Sequence, residues 1–247
     1  MIDFAIIVRN EDTLKRAKKV VFLTRAGISQ ESGISTFRGN DGLWKKYDPR
    51  KLASAQAFRD NPKLVWSWYN DRRRKIMAAK PNVGHLAIAN LQNHSEVSVI
   101  TQNIDGLHQR AGNREVTELH GNIFATKCTK CDFRGKIRSE FSDLPTSCKI
   151  CGSYLRPDVV WFGEDIKKEV WNGAVMHSVA CDVMIIVGTS LVVSPANTLY
   201  SYAKNNKAML VEINPENTPF SYQMDFSIRK TAVDALPRLI SIFESAN

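Results

Sequence analysis

Four cysteines are spaced to hold one metal ion. Cys128-x-x-Cys131 and Cys148-x-x-Cys151 are separated by 16 residues, within the C-x2-C-x15–20-C-x2-C spacing of two-knuckle zinc sites. Each turn brings two thiolates to one centre. Two turns close a tetrahedral, all-sulfur site with no open position, which is structural rather than catalytic chemistry. Two disulfides or buried thiols are the alternative, and the spacing favours zinc. Cys181 stands alone before an apolar run and reads as a core thiol.

A second signal is a turn of small residues. Thr24-Arg25-Ala26-Gly27-Ile28-Ser29 follows an apolar run, and Glu31 to Gly39 (ESGISTFRG) comes next. Small residues there let backbone amides approach a pyrophosphate. The pattern is not GxGxxG, so alone it reads equally well as a structural strand-to-helix turn. Polar segments end three further apolar runs: Thr101-Gln102-Asn103-Ile104-Asp105, Gly188-Thr189-Ser190 and Glu212-Ile213-Asn214. Open parallel sheets bind ligands at such carboxyl ends. Imidazole titrates near neutral pH and can act as a general base. By type alone His85, His94, His108, His120 and His177 are equal candidates.

These residues need a scaffold. Val20–Leu23, Val97–Ile100, Val183–Val187 and Met209–Ile213 are Val/Ile-rich runs without polar alternation, as in strands buried on both faces. Pro62–Ala78, Asn82–Leu91, Glu169–Val179 and Ala235–Glu244 carry helical periods between or after them. Strands alternating with helices predict right-handed βαβ units and a doubly wound α/β fold. The Cys- and Lys-rich stretch from about Thr126 to Tyr154 breaks that rhythm and reads as a small metal-held insertion. A second interruption spans roughly Asn40–Ala79.

Of 247 residues, 43% are hydrophobic and 24% charged, which excludes disorder, collagen and coiled coil. Lys+Arg minus Asp+Glu is 34 − 25 = +9. This allows weak attraction to nucleic-acid phosphates, but no basic recognition helix accompanies it. The start MIDFAIIVRNEDTLKR lacks the charged-then-apolar form of a signal peptide. The longest uncharged stretch, Val183–Ala203, is broken by Gly188, Pro195 and Asn197, so no membrane span is expected. With its paired CxxC turns, the chain is expected to be soluble and cytoplasmic.

In order, the motifs are AGIS, SGI-x-x-FRG, GLW, TQNID-x-LH, HG, four cysteines, VVWFGE, GTS and EINPE. Together they resemble the sirtuins, the NAD-dependent protein-lysine deacylases, over nearly the whole chain. The likeness is to the prokaryotic type. It implies a Rossmann-type large domain (1–39, 80–125 and 155–247) and a small helical plus zinc-ribbon domain (40–79 and 126–154). NAD and an acylated-lysine protein substrate would enter the cleft between them, and one structural zinc would sit on the cysteines.

The resemblance also implies roles. His120 would be the general base, with Asn103 at the ribose and Asp105 on the nicotinamide carboxamide. Ala26, Gly27, Ile28, Ser29, Gln102, Ile104, Gly188, Thr189, Pro215, Glu216 and Ala232 would line the NAD site. Phe37 would screen the reactive ribose carbon, and Arg38 would lie near the phosphates. Ser190 and Asn214 would contact phosphate and adenosine ribose. Val159, Val160 and Phe162 would form the acyl-lysine tunnel. In the family scheme the acyl group passes to ADP-ribose as nicotinamide leaves. Protein ADP-ribosylation shares the first half of that chemistry and is a further implied activity.

Tyr69 and Arg72 lie three apart on one helical face. An Arg fork with a Tyr hydroxyl can grip a carboxylate. The pair resembles the Tyr-x-x-Arg of the desuccinylase branch, which reads succinyl and malonyl groups. A solvated basic face is the alternative, since Arg72, Arg73 and Arg74 are consecutive. One position departs from the family: Arg25 stands where it has glycine. The guanidinium would either crowd NAD, leaving a weakened NAD- or ADP-ribose-binding protein, or pair with its phosphates.

Overall fold

The computed structural model of the chain describes residues 9–36, 48–137 and 145–245. The expected NAD contacts Phe37 and Arg38, and the GLW motif, lie outside the described residues.

Six strands form one parallel sheet: β1 Lys19–Thr24, β2 Glu96–Thr101, β3 Glu115–Glu118, β7 Val183–Val187, β8 Met209–Ile213 and β9 Phe226–Ile228. Their spatial order is β3-β2-β1-β7-β8-β9. Counted within this sheet alone it is 3-2-1-4-5-6, the Rossmann order, whose reversal between β1 and β7 opens a crevice at the strand ends. The apolar runs become the four central strands. Alternate side chains serve opposite faces: Val20 and Phe22 join one buried cluster, Val21 and Leu23 the other.

The helices are α1 Glu11–Arg16, α2 Ala26–Ser29, α3 Ala55–Asp60, α4 Pro62–Ala78, α5 Val83–Leu91, α6 Leu107–Arg110, α7 Lys168–Ala180, α8 Leu199–Asn205 and α9 Ala232–Glu244. Helices α5 and α9 cover one face of the sheet, α7 and α8 the other. No helix among the described residues is long and apolar enough to cross a membrane.

A second, three-stranded antiparallel sheet has the order β5-β4-β6, from β4 Gly121–Cys128, β5 Arg134–Lys136 and β6 Leu155–Val159. Strand β4 runs across the expected boundary at 125/126, and β6 pairs with it rather than with the large sheet. Pro157 is tolerated because β6 is an edge. A third apolar cluster joins this sheet to α3 and α4. Helix α4 starts where the sequence says it should. Asn61 caps it by accepting from the Leu64 N–H at 3.0 Å, and Pro62 opens the first turn. Its buried face carries Val65, Trp66, Tyr69, Arg72, Arg73 and Ile76, and the Trp66 indole donates to the Leu155 carbonyl at 2.9 Å.

Candidate active site

The crevice between β1 and β7 is built by two glycines. The Gly27 N–H donates to the Gly188 carbonyl at 3.0 Å. A Cβ on Gly27 would lie 2.5 Å from Gly188 Cα, so neither position accepts a side chain without moving the other. Gly188 also has φ of +59°, in the left-handed region. This close approach packs the turn after β1 directly on the turn after β7 at the head of the crevice, and it falls at Gly27. Arg25 has φ −144° and ψ −168°, extended backbone open to any residue. Glycine is therefore not required at 25 for backbone reasons. Its N–H donates to the Val187 carbonyl at 3.2 Å.

Around this turn, Asn214 at the end of β8 donates its amide to the Thr189 carbonyl at 2.9 Å. Ser190 is half-buried beside it, and Pro215 and Glu216 are exposed. The side chains of Ile28 and of Ala232, the first residue of α9, are both buried in the core. Ala26 is half-buried at the first turn of α2.

Below the crevice runs a buried polar layer. Asn103 Nδ2 donates to Ser29 Oγ at 3.1 Å and to the Arg25 carbonyl at 3.2 Å. Ser29 donates to Asp105 at 2.8 Å, and Asp105 accepts the Leu107 N–H at 2.9 Å. Burial pushes the Asp105 carboxyl above its usual range, against these hydrogen bonds and the charge of Arg72. His85 stands 3.5 Å from Ser29 and 3.0 Å from the Asn82 oxygen. Its ring packs beside that of His108 at 4.9 Å, which places His85 in this buried layer rather than in the cavity.

His120 follows β3 and precedes Gly121, which has φ of +76° and whose Cβ would lie 2.1 Å from the Asp158 carbonyl oxygen. That contact and the 2.9 Å bond from the Val160 N–H to the His120 carbonyl fix the histidine against the second sheet. His120 Nδ1 lies 3.0 Å from the Gln102 carbonyl. A carbonyl only accepts, so Nδ1 carries the proton and Nε2 keeps its lone pair. Burial pulls the imidazole pKa down to about 4, and the Arg25 charge adds to the fall. At neutral pH the ring is an uncharged base.

His120 faces a cavity of about 770 Å³ together with Arg25, Gln102 and Ile104. Gln102 Oε1 is buried there with no hydrogen-bond partner among the described residues, a group left for a ligand to satisfy. The other wall carries Tyr69, Arg72, Val159, Val160 and Phe162. The helix that looked basic in sequence thus turns Tyr69 and Arg72 inward: they are 3% and 9% exposed, while Arg74 is exposed. Arg72 lies over the Trp68 ring at 5.0 Å. Trp161, between two expected tunnel residues, also lines the cavity and was not singled out beforehand; its position in VVWFGE was the available signal.

The four cysteine sulfurs lie within 4.8 Å of one another. Cys128 and Cys151 are 3.4 Å apart, and Cys131 and Cys148 are 3.7 Å apart. Zinc–sulfur bonds of about 2.3 Å in a tetrahedron put sulfurs about 3.8 Å apart. The donor set fits one zinc ion.

The Sir2 family model matches residues 25–195. The NAD-dependent protein deacylase 1 of Caldanaerobacter subterraneus subsp. tengcongensis is 50% identical, over 94% of this chain and 96% of that protein. The NAD-dependent protein deacylase of Aeropyrum pernix is 48% identical, over 92% and 93%. A Sir2 homologue in complex with NAD superposes with a TM-score of 0.91 at 41% identity, covering 97% of this chain and 95% of that one. A Rossmann crevice, a base beside it, a four-thiolate ribbon and these likenesses converge: the chain belongs to the Sir2 family.

Proposed function

We propose that the protein removes acyl groups from protein lysines in an NAD-dependent reaction, giving nicotinamide and O-acyl-ADP-ribose, in the cytoplasm. We further propose that it accepts succinyl and malonyl as well as acetyl groups. The observation that carries the second part is that Tyr69 and Arg72 share one cavity with His120. A buried guanidinium and a phenol at the far wall supply a charge and a donor for an acyl carboxylate. An acetyl methyl has no use for either.

NAD, when bound, supplies the electrophilic ribose carbon and the leaving nicotinamide. The chain's own residues do the rest. The turns that meet at Gly27 and Gly188 set the crevice where the diphosphate would lie, and Asn214 and Ser190 flank the adenosine side. Asp105 and Asn103 orient the nicotinamide ribose end, held by Ser29. Val159, Val160 and Phe162 guide the acyl-lysine chain toward that carbon. His120 Nε2 takes a proton from a ribose hydroxyl, with Nδ1 anchored on Gln102. The cysteines hold a structural zinc that ties the second sheet together.

A second reading rests on Arg25, whose side chain enters the same cavity as His120. If it excludes NAD, the chain binds ADP-ribose-like ligands with little turnover. Incubation with NAD and acetyl- or succinyl-lysine peptides of one sequence, followed by mass spectrometry, decides between them. Both O-acyl-ADP-ribose products are expected. Tyr69→Phe with Arg72→Met should cut desuccinylation far more than deacetylation, because a carboxylate stripped of both partners loses about 2–5 kcal/mol. Equal losses on both peptides would refute the acidic-acyl reading. Absence of both products would favour the binding reading.

A further inference from the structure

Tyr69 on α4 and Trp161 after β6 are joined by a hydrogen bond: the indole Nε1 lies 2.9 Å from the phenol oxygen. The direction of this bond is fixed. An indole N–H only donates, so the Tyr69 oxygen accepts and its own proton is left for another acceptor. Among the described residues Trp161 is the hydroxyl's one hydrogen-bond partner. Both side chains line the cavity that holds Arg72. Burial pushes the Tyr69 pKa up to about 12, so the phenol keeps its proton at neutral pH.

The indole and the backbone that carries it are themselves held in place. The Arg156 guanidinium stacks on its ring at 3.2 Å. Arg156 forms a two-pronged pair with Glu164 and donates to the Val159 carbonyl at 2.8 Å. Glu164 accepts the Trp161 backbone N–H at 3.0 Å. The Phe58 ring packs against the indole at 5.5 Å. Trp161 is 3% exposed, and its indole N–H is satisfied by the Tyr69 oxygen.

We infer that Trp161 is a specificity-determining positioning residue: by filling the acceptor side of the Tyr69 hydroxyl, it commits the phenol proton to a carboxylate on the acyl group. This rests on the acidic-acyl reading above and extends it to a residue that holds no charge and acts on the acyl carboxylate through Tyr69. Without the indole donor, the hydroxyl is free to turn and spend its proton elsewhere. A succinyl or malonyl carboxylate would then meet Arg72 alone. An acetyl group, which offers no acceptor at that wall, would be affected less.

The test is steady-state kinetics at saturating NAD with acetyl and succinyl peptides of one sequence. The readout is the succinyl-to-acetyl ratio of kcat/KM for wild type, Tyr69→Phe, Trp161→Phe and the double variant. Trp161→Phe keeps an aromatic ring and deletes the donor. It should lower the ratio about tenfold, mainly through KM for the succinyl peptide. Tyr69→Phe should lower it by a similar factor. The double variant should fall no further than Tyr69→Phe, because the indole acts through the hydroxyl. A Tyr69→Phe loss with an unchanged ratio in Trp161→Phe overturns this inference and leaves the acidic-acyl reading standing. So does a Trp161→Phe loss that adds in full to that of Tyr69→Phe. An unchanged ratio in Tyr69→Phe overturns the reading and the inference together. Should Trp161→Phe fold poorly, 3-benzothienylalanine at position 161 keeps the bicyclic shape, lacks the N–H and repeats the test.

Discussion

His120 Nδ1 points at the backbone carbonyl of Gln102, 3.0 Å away, and this one contact decides which nitrogen does the chemistry. With Nδ1 bound, Nε2 is the base, and burial holds the ring neutral with a pKa near 4. The acid limb of kcat/KM reports the free enzyme. It should therefore lie well below the usual imidazole value of about 6.5, with rates nearly flat from pH 8 to 6. His120→Ala should lower deacylation by roughly 10²–10⁴ while leaving zinc content and folding intact. Near-normal turnover of the alanine variant would remove His120 from the mechanism.

The buried layer beneath the site sets an acid sensitivity of stability. Burial lowers the His85 pKa to about 4 and takes His108 well below its usual value. As pH falls from about 6.5 toward 4, the unfolded chain gains protons that these folded rings refuse, so folding loses stability in that window. For His85 the loss is about 2 kcal/mol by pH 5. Asp105 works in the opposite sense, since its carboxyl is raised. The comparison is therefore with His85→Gln. Urea unfolding between pH 7 and 5 should show a shallower decline in that variant by about 2 kcal/mol, and parallel curves would contradict the assignment.

The zinc ribbon reaches the acyl wall through a short chain of contacts. Cys128 and Cys148 belong to the same buried cluster as Trp66, Tyr69 and Trp161. Cys148→Ser should release the metal and destabilise the protein, since structural zinc contributes folding free energy directly. Metal analysis and melting curves check this. One equivalent of zinc with an unchanged Tm would refute the four-thiolate site.

What the sequence disclosed follows from how each element is buried. Strands β1, β2, β7 and β8 are covered on both faces, so they read as bare apolar runs. Strands β3 and β9 lie at the sheet edges and are only four and three residues long, EVTE and FSI, with no such signature. The pairing of β4 with β6 joins segments on either side of the cysteines, and no local pattern encodes it. Helix α4 was legible to its ends because Asn61 and Pro62 mark its start. Its inward turn was not legible, because three arginines in a row look like a solvated face until Trp68, Tyr69 and Trp161 are seen around them. The Tyr69–Trp161 bond spans 92 residues and belongs to tertiary structure alone.

Arg25 is where this chain departs from its family's motif, and its effect can be separated from that of the backbone. Its φ of −144° and ψ of −168° suit any residue, and the tight approach falls two residues later, at Gly27. Arg25→Gly therefore tests the side chain. That side chain lines the cavity with His120 and Gln102, at the end of β1 where the dinucleotide turn begins. A half-buried guanidinium there occupies volume that glycine leaves open. On this crowding account, Arg25→Gly raises kcat/KM for NAD about tenfold, equivalent to about 1.4 kcal/mol. If the guanidinium instead pairs with the diphosphate, the glycine variant binds NAD more weakly and kcat/KM falls. Both accounts share a second consequence. Arg25 is one cause of the low His120 pKa, so its removal should move the acid limb of the rate profile upward. A shifted limb with a higher kcat/KM supports crowding; a shifted limb with a lower one supports phosphate pairing. An unmoved limb would mean that Arg25 does not face His120 at all, and the departure from glycine would then carry no consequence for the base.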